Sequence, residues 1–431
     1  MPVSTENKTP RRAVVVAGNR TPFVRAFAQY LKLDTIALGC EAVSGLLARS
    51  GLDKSEVDAV VWGGVLLPSM APNVAREIVI DLELPHTAEA YTVTRACASG
   101  LQAITEAVAK IERGEADVII AGGSDSTSNA TLAMPEEFVR DVGSYFMGKG
   151  TLMNLLGGFM PPTKAFPKMP KVAERSTGEV MGESAEKMAG IHGVTRDEQD
   201  NFAVASHHRA AAAWDSGIFD QEVTAVTVEG VTTERDTIVR PDTSVEKMAK
   251  LRSAFAENGT LTAANSSALT DGASATLIMS EEKAKELGMK PLAAFRSWAY
   301  CGVDPAEQVL KGPALSMPLA LERAGLTLDQ VDMIDMHEAF AAQVLSIIKM
   351  LEDEDFGREE LGRDGAVGKV DFDKLNLHGG SVALGHPFAA TGSRIVNTVA
   401  NELHRSGKKT CLIGICAAGG LGASAVMERV D

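Results

Sequence analysis

The sequence predicts an α/β protein built from two similar halves, with a large segment inserted into the first. Three observations carry that prediction. Short apolar runs alternate with helix-periodic runs, as in Ala13 to Ala17, Asp34 to Arg49 and Ala59 to Trp62; this is the pattern of helices layered on a sheet. The order of features repeats, with Gly325-Leu326-Thr327-Leu328-Asp329-Gln330-Val331-Asp332 echoing Gly51-Leu52-Asp53-Lys54-Ser55-Glu56-Val57-Asp58. From about Asn129 to Asn258 the alternation lapses into a stretch where Pro, Met and Gly are frequent.

Composition narrows the function classes. With 431 residues, 45% of them hydrophobic, the chain can form two or three compact units around a sizeable core. Aromatics are only 5% against 40 glycines, which favours close-packed helices on sheets over an aromatic binding surface. The net charge of -15 argues against nucleic-acid binding, and an anionic ligand would need a local basic patch. Cys40, Cys97, Cys301, Cys411 and Cys416 are odd in number, far apart and never in a CxxC pair. That suits a reducing compartment and gives no structural zinc site. Met1 to Arg12 is a polar tail rather than a signal peptide. Thr410 to Met427 is uncharged, but its four glycines read as strand–turn–strand rather than a membrane span. The expected location is the cytoplasm, or the mitochondrial matrix in a eukaryote.

Taken in order, Arg12 to Ala17 is the first buried strand and Arg20-Thr21-Pro22-Phe23 a turn. Asp34 caps a helix running to about Arg49. Gly51 to Asp58 leads into the strand Ala59 to Trp62. Ala90 to Thr94 is the next strand, ending in Arg95-Ala96-Cys97-Ala98-Ser99-Gly100. Leu101, Ile104, Ala107, Val108 and Ile111 then set a helix to Glu112. A thiol at this turn faces the first free N–H groups of the helix, whose positive end favours thiolate. Taken alone, the same cysteine reads equally well as a buried structural thiol. Ala116 to Ala121 is another strand, running into Gly122-Gly123-Ser124-Asp125-Ser126.

The insertion is expected to cover a site rather than continue the sheet. Its prolines cluster at Pro161, Pro162, Pro167 and Pro170, and Lys149, Lys164, Lys168, Lys171 and Arg175 make it locally basic. Helices are expected near Met181 to His192 and from Arg196 to Ser216. The apolar part from Phe146 to Phe166 suits a membrane or partner surface; a greasy channel lining or plain core fits it as well. The sheet resumes with strands at Thr260 to Ala264 and Ala275 to Met279.

In the second half, the strand Met333 to Met336 ends in His337-Glu338-Ala339-Phe340. Lys409 to Gly420, strand then glycines, echoes Ala116 to Gly123. Leu384-Gly385-His386-Pro387 fills the slot that Ala96-Cys97-Ala98 holds in the first half, and the helix Gly392 to His404 follows it. Duplication would bring the two turns together near a pseudo-twofold axis, a histidine facing a cysteine. That imidazole can take the thiol proton and give the thiolate–imidazolium pair used in acyl transfer. Cys416, in Ile415-Cys416-Ala417-Ala418-Gly419-Gly420, supplies a second thiol able to act as acid and base.

These stretches together resemble the thiolases, over nearly the whole chain from Arg20-Thr21-Pro22-Phe23 onward. The motifs are Cys97-Ala98-Ser99-Gly100, Asn265 to Gly272, His337-Glu338-Ala339-Phe340, Gly379 to Gly392 and Cys416 to Gly422. His at 337 rather than the usual Asn, Arg175-Ser176-Thr177-Gly178 with Met181-Gly182, and Ala417-Ala418 resemble the branch holding the β subunit of the trifunctional fatty-acid-oxidation complex. The resemblance implies a duplicated thiolase fold, two βαβαβαββ halves in a five-layered αβαβα arrangement with a loop domain inserted in the first half. It implies residues 1–128 and 259–281 for the first half, 129–258 for a loop domain over the CoA site and 282–431 for the second half.

For the site, the resemblance implies Cys97 as acyl-carrying nucleophile, His386 as its activator and Cys416 as acid and base. It implies His337 at a water-holding oxyanion hole and the backbone N–H groups of Cys97 and Ala418 as the other. Ser267, Ala268, Ala339 and Phe340 would lie along the pantetheine arm. Coenzyme A is then a substrate, with no permanent cofactor and no metal, and the basic residues of the insertion are the source of cations for its phosphates. The expected activity is cleavage of 3-ketoacyl-CoA by ping-pong kinetics, or the same chemistry in the condensing direction on short chains. A ketoacyl-synthase type is disfavoured because Cys416 stands where that class uses His. Intact Cys97, His386 and Cys416 argue against a non-catalytic acyl-CoA or lipid carrier. A homodimer or homotetramer is expected, with a hydratase/dehydrogenase α subunit as a further partner.

Overall fold

The first strand, β1 (Ala13–Arg20), runs through the middle of the molecule. In this computed structural model, residues 11–168 and 173–431 are described. Expectations for the tail before Arg11, and for Pro170 and Lys171, lie outside the described residues. On one side β1 pairs antiparallel with β5 (Thr270–Ser280). On the other, Val14 and Val15 pair with β6 (Ala293–Gly302). The first half also holds β2 (Ala59–Gly63), β3 (Glu89–Val93) and β4 (Val118–Asp125), in the order β3-β2-β4-β5-β1. The second half adds β7 (Met333–Met336), β8 (Thr410–Ala417) and β9 (Leu421–Arg429), in the order β7-β8-β9-β6.

Ranked by appearance within its half, the first order is third-second-fourth-fifth-first. The second half repeats it, with its third strand reduced to one parallel bridge from Leu375 to Ile334. The shared topology is the duplication that the repeated motifs predict.

The helices fill three layers. α1 (Thr35–Ser50) and α2 (Val74–Asp81) cover the outer face of the first-half strands, where Leu38, Trp62 and Ile78 are buried together. α8 (Gly312–Ala324) and α9 (Ala341–Glu352) cover the outer face of the second half, burying Met317, Leu345 and Leu412. α3 (Ser99–Glu112) and α10 (Ala390–Ser406) lie between the two halves of the sheet, with Leu101, Ile104, Ile395 and Ile413 in one cluster. Each fully buried aliphatic side chain of this kind contributes about 1.5–3 kcal/mol.

Local chemistry explains the boundaries. Asp34 Oδ1 accepts the Ala37 N–H at 2.8 Å and starts α1. Gly51 and Gly325 end α1 and α8 in the left-handed region, at φ 68 and 64. Each then leads through a short 3-10 turn toward a strand, so the sequence echo is a structural one. In the middle layer α3 and α10 meet almost backbone to backbone. A Cβ on Gly100 would sit 2.4 Å from the Ala389 carbonyl oxygen, and one on Gly392 2.4 Å from the Leu101 nitrogen.

The chain between β4 and β5 holds α4 (Glu136–Phe146), α5 (Leu152–Gly158), α6 (Met181–Ile191) and α7 (Arg196–Asp215). A two-strand ribbon, Val226–Val228 with Val231–Thr233, stands apart from the main sheet. The buried Arg20 of β1 ties this segment down through Asp236, at 2.7 and 3.0 Å, and Glu222 at 3.1 Å. The strand expected at Thr260 to Ala264 is absent; the backbone there is held by side chains instead. Glu186 accepts from the N–H groups of Thr260 and Leu261, and Asn265 Oδ1 from that of Thr262. β5 starts at Thr270, ahead of the expected Ala275. Among the described residues no helix is long and apolar enough to cross a membrane.

Candidate active site

β3 delivers Cys97. Its following turn is clamped by Ser99, whose Oγ accepts the Arg95 N–H at 2.7 Å and donates to the Ala96 carbonyl at 2.6 Å. Ala96 is held at φ 44, a left-handed conformation that costs a non-glycine residue about 1–2 kcal/mol. The turn thrusts Cys97 forward at the start of α3, whose cap residue Ala98 makes no side-chain hydrogen bond. The backbone N–H groups of Ala418 and of Cys97 itself are turned toward the sulfur.

The second half delivers His386. Gly385 turns the chain at φ 108, between the short helix Ser381–Leu384 and the imidazole. A side chain there would also crowd Thr270 Cγ2 at 2.8 Å. The His386 N–H is fixed by Thr270 Oγ1 at 2.8 Å, its Nδ1 by Thr391 Oγ1 at 2.6 Å. Its Nε2 lies 3.1 Å from Cys97 Sγ. The next residues are held from across the molecule, because Asp125 Oδ2 accepts the Ala389 N–H at 2.8 Å.

The charge state differs from the ion pair expected from sequence. Burial pushes the Cys97 thiol up to about 12, against the pull of the two N–H groups. Burial also pushes His386 down to about 3, with the Arg394 charge adding to it. The resting pair is therefore thiol and neutral imidazole. Desolvation outweighs the helix end, since no counter-charge accompanies either group into the interior.

His337, fully buried at the end of β7, joins this pair. Its ring centroid lies 4.2 Å from that of His386. Ser381 Oγ is 2.9 Å from its Nδ1, while its Nε2 has no hydrogen-bond partner. Burial first, with the neighbouring His386 and Arg394 opposing a second positive charge, keeps it well below the usual histidine range. Ser381 Oγ also accepts from the buried Arg394 Nη2 at 3.3 Å. The hydroxyl can accept from Arg394 and give its own proton to His337 Nδ1, the arrangement in which Nε2 carries the ring proton as a donor. Cys416, near the end of β8 and fully buried, has its thiol pushed well above the ordinary value by burial and then by Cys97 nearby.

The remaining expected residues border the same turns. Ser267 N–H donates to the Ala339 carbonyl at 2.9 Å, and the Ala341 N–H to the Asn265 carbonyl at 2.9 Å. Ser266 bridges Phe340, whose ring meets Phe255 edge-on at 5.8 Å. Ala268 sits in the same strip, half-buried. Below it Glu338 accepts from Ser206, Asn376 and the Val382 N–H, joining the insertion to the His386 loop. Of the basic residues, Lys164 is engaged by Glu137 at 2.8 Å. Sequence reasoning passed over Thr391, Ser381, Arg394 and Asp125. Ser381 and Thr391 lie inside a singled-out glycine-rich motif; Asp125 lies in the turn Gly122-Gly123-Ser124-Asp125-Ser126 and Arg394 near the start of a helix, and neither place marks its role.

A thiol beside a neutral imidazole, with two backbone donors at the sulfur and a second thiol close by, is machinery for acyl transfer. Comparison with known proteins makes the class specific. The thiolase N-terminal domain family matches residues 13–282 and the thiolase C-terminal domain family residues 289–429. The chain belongs to the thiolase family, whose members are acyltransferases. It is 44% identical to the 3-ketoacyl-CoA thiolase of Serratia proteamaculans over 422 residues, 97% of each chain. It is 44% identical to that of Yersinia enterocolitica, again over 97% of each. Among solved structures it superposes on the Bacillus anthracis acetyl-CoA acetyltransferase with TM-score 0.84 at 30% identity, covering 97% of this chain and 99% of that one. It also matches human mitochondrial 3-ketoacyl-CoA thiolase in complex with CoA, TM-score 0.83 at 30% identity, covering 97% and 98%.

Proposed function

We propose that this thiolase cleaves 3-ketoacyl-CoA with CoA to acetyl-CoA and a shortened acyl-CoA, as a step of fatty-acid β-oxidation. The 3.1 Å approach of Cys97 Sγ to His386 Nε2 carries this reading. His386 takes the thiol proton as the sulfur attacks the 3-keto carbon. The alkoxide forms against the N–H groups of Cys97 and Ala418, each such donor being worth roughly 3 kcal/mol. The Cα–Cβ bond then breaks. The departing enolate has its thioester oxygen beside the Nε2–H now on His386, with His337 Nε2–H as a second donor. Cys416 protonates the enolate carbon, and a neutral thiol with a raised pKa suits an acid. CoA thiol gives its proton to the Cys416 thiolate and attacks acyl-Cys97. Cys97 leaves and takes its proton back from His386, so both acid–base groups are restored.

In the same reading Ser267, Ala268, Ala339 and Phe340 flank the pantetheine arm, and Lys149, Lys168 and Arg175 are candidates for the CoA phosphates. Residues 129–258 act as the loop domain over that site, between 1–128 with 259–281 and 282–431. β3 ends the sheet with an open edge among the described residues, which suits pairing with a second copy into a dimer or tetramer. A hydratase/dehydrogenase subunit is a further partner, and the cytoplasm is the proposed location. Phe146, Met147, Met153 and Phe166 are each at least 66% exposed, which favours a membrane or partner surface over a channel lining.

The likeness to an acetyl-CoA acetyltransferase supports a second reading, short-chain condensation. Cleavage assays on short-, medium- and long-chain 3-ketoacyl-CoA, with Cys97→Ala as control, separate the two. Activity reaching long chains supports the first reading; activity confined to acetoacetyl-CoA supports the second. Wild type equal to Cys97→Ala at every length overturns both and leaves a carrier.

A further inference from the structure

We propose that Cys97, His337 and His386 form a latent zinc site, at which a divalent zinc ion shuts the active site reversibly. The ligand atoms of the three residues lie within 4.8 Å of one another. Three of the four positions of a tetrahedral metal's inner sphere are thus supplied by neighbouring side chains. Tetrahedral zinc holds thiolate sulfur at about 2.3 Å and imidazole nitrogen at about 2.0–2.1 Å, so its ligands stand about 3.5 Å apart. Cys97 Sγ and His386 Nε2, at 3.1 Å, need to open by only a few tenths of an ångström.

The independent observation is His337. Its Nε2 is buried and has no hydrogen-bond partner, while its ring lies against that of His386. A buried polar atom without a partner is costly, and a place as third ligand would satisfy it. The outer contacts are also those of a metal site. Thr391 Oγ1 holds Nδ1 of His386 and Ser381 Oγ holds Nδ1 of His337, which leaves both Nε2 atoms to the ion. Cys97 is the least buried of the three residues, and its side is the way in for an ion. A soft thiolate with two imidazoles selects zinc over magnesium or calcium.

The proton balance is explicit. The Cys97 thiol loses one proton to solvent, and sulfur and His386 Nε2 both bind the ion where that proton lay. On His337 the ring proton moves from Nε2 to Nδ1, where Ser381 Oγ accepts it. A water takes the fourth position. No oxidation is involved, and a chelator reverses the binding. The inference concerns the three side chains and holds whichever acyl-CoA is the substrate.

The test uses the full-length protein titrated with cobalt(II), a coloured stand-in for zinc. One equivalent is expected to give a thiolate-to-cobalt charge-transfer band with intense visible bands of tetrahedral metal, releasing one proton and displaced by zinc. Cys97→Ser, or wild type alkylated at Cys97, should lack the charge-transfer band. His337→Asn should weaken zinc binding by about tenfold or more. Zinc should also slow alkylation of Cys97 by iodoacetamide in wild type, an outcome that needs no variant to fold. An unchanged band after Cys97 is blocked overturns the proposal. So does equal zinc affinity in wild type and folded His337→Asn, or alkylation unaffected by zinc.

Discussion

Cys97 Sγ and His386 Nε2 stand 3.1 Å apart as a neutral pair, with burial lifting the thiol to about 12 and lowering the imidazole to about 3. The thiolate fraction of the free enzyme then grows tenfold per pH unit through the neutral range. Alkylation of Cys97 by iodoacetamide should therefore keep accelerating as pH rises from 6 to 9 (a span lying wholly below the thiol value). A rate that levels off near neutrality would reveal a preformed ion pair and refute the neutral one.

Ser381, fully buried, is the hydrogen-bond partner of His337 Nδ1 and so biases its ring tautomer. Ser381→Ala should lower kcat by about tenfold or more, through the enolate oxygen that His337 faces. KM should change little, and Cys97 alkylation, which forms no oxyanion, should keep the wild-type rate. A parallel loss of alkylation would mean that the loop itself had collapsed.

Asp125 accepts from the N–H groups of Val65, Leu66 and Ala389 at 3.0, 2.6 and 2.8 Å. Burial nonetheless raises its carboxyl to about 7. The unfolded value is near 3.9. The folded state thus holds this proton more tightly, so the contribution to stability is full below about pH 4 and is lost as pH rises through about 7. In urea unfolding, Asp125→Asn should flatten that decline. It should also be less stable throughout, because an amide NH2 opposes the Ala389 N–H. An unchanged slope would assign the decline to another group.

Gly100→Ala would drive a methyl to 2.4 Å from the Ala389 carbonyl and 2.9 Å from the Ser393 nitrogen. Neither backbone atom can yield, so the loss should reach about 3 kcal/mol or more. Gly190→Ala, inside α6 with nothing within 4 Å, should instead stabilise by about 0.5–1 kcal/mol. Similar midpoints for the two variants in urea would contradict the close approach of α3 to α10.

The exposed side of the α4–α5 region offers a separate test. Wild type should sediment with vesicles containing anionic lipid, and Phe146→Glu with Met153→Glu should not. Equal sedimentation of both would leave that face to a protein partner.

Much of the site was legible because its turns are punctuated. Small residues and glycines around Cys97 and His386, followed by helix-periodic runs, mark the places where backbones and substrate come close. β6 was less legible. Its buried side holds Phe295, Ser297 and Ala299 while Arg296 is exposed and Trp298 and Tyr300 are half-buried, so apolar and polar residues do not sort by face. α8 hides behind Gly312, Pro313 and an internal Pro318. The false strand at Thr260 to Ala264 had β-forming residues, but Glu186 and Asn265 claimed its backbone. The thiol's charge state failed for another reason. Helix-end electrostatics is a local property of sequence, whereas desolvation depends on what the whole chain packs over the sulfur.

Apart from the bridge of Arg20 to Val223, β1 pairs among the described residues with β5 and β6, which follow the entire inserted segment. β1 therefore waits for its main sheet partners until the whole inserted segment has been made. Loop closure on that scale slows folding and leaves apolar edges in need of shelter during synthesis. Because nucleophile and base sit on opposite sides of that late seam, no truncated nascent chain can carry a working pair. Chemistry begins only when the turns of the second half have closed over those of the first.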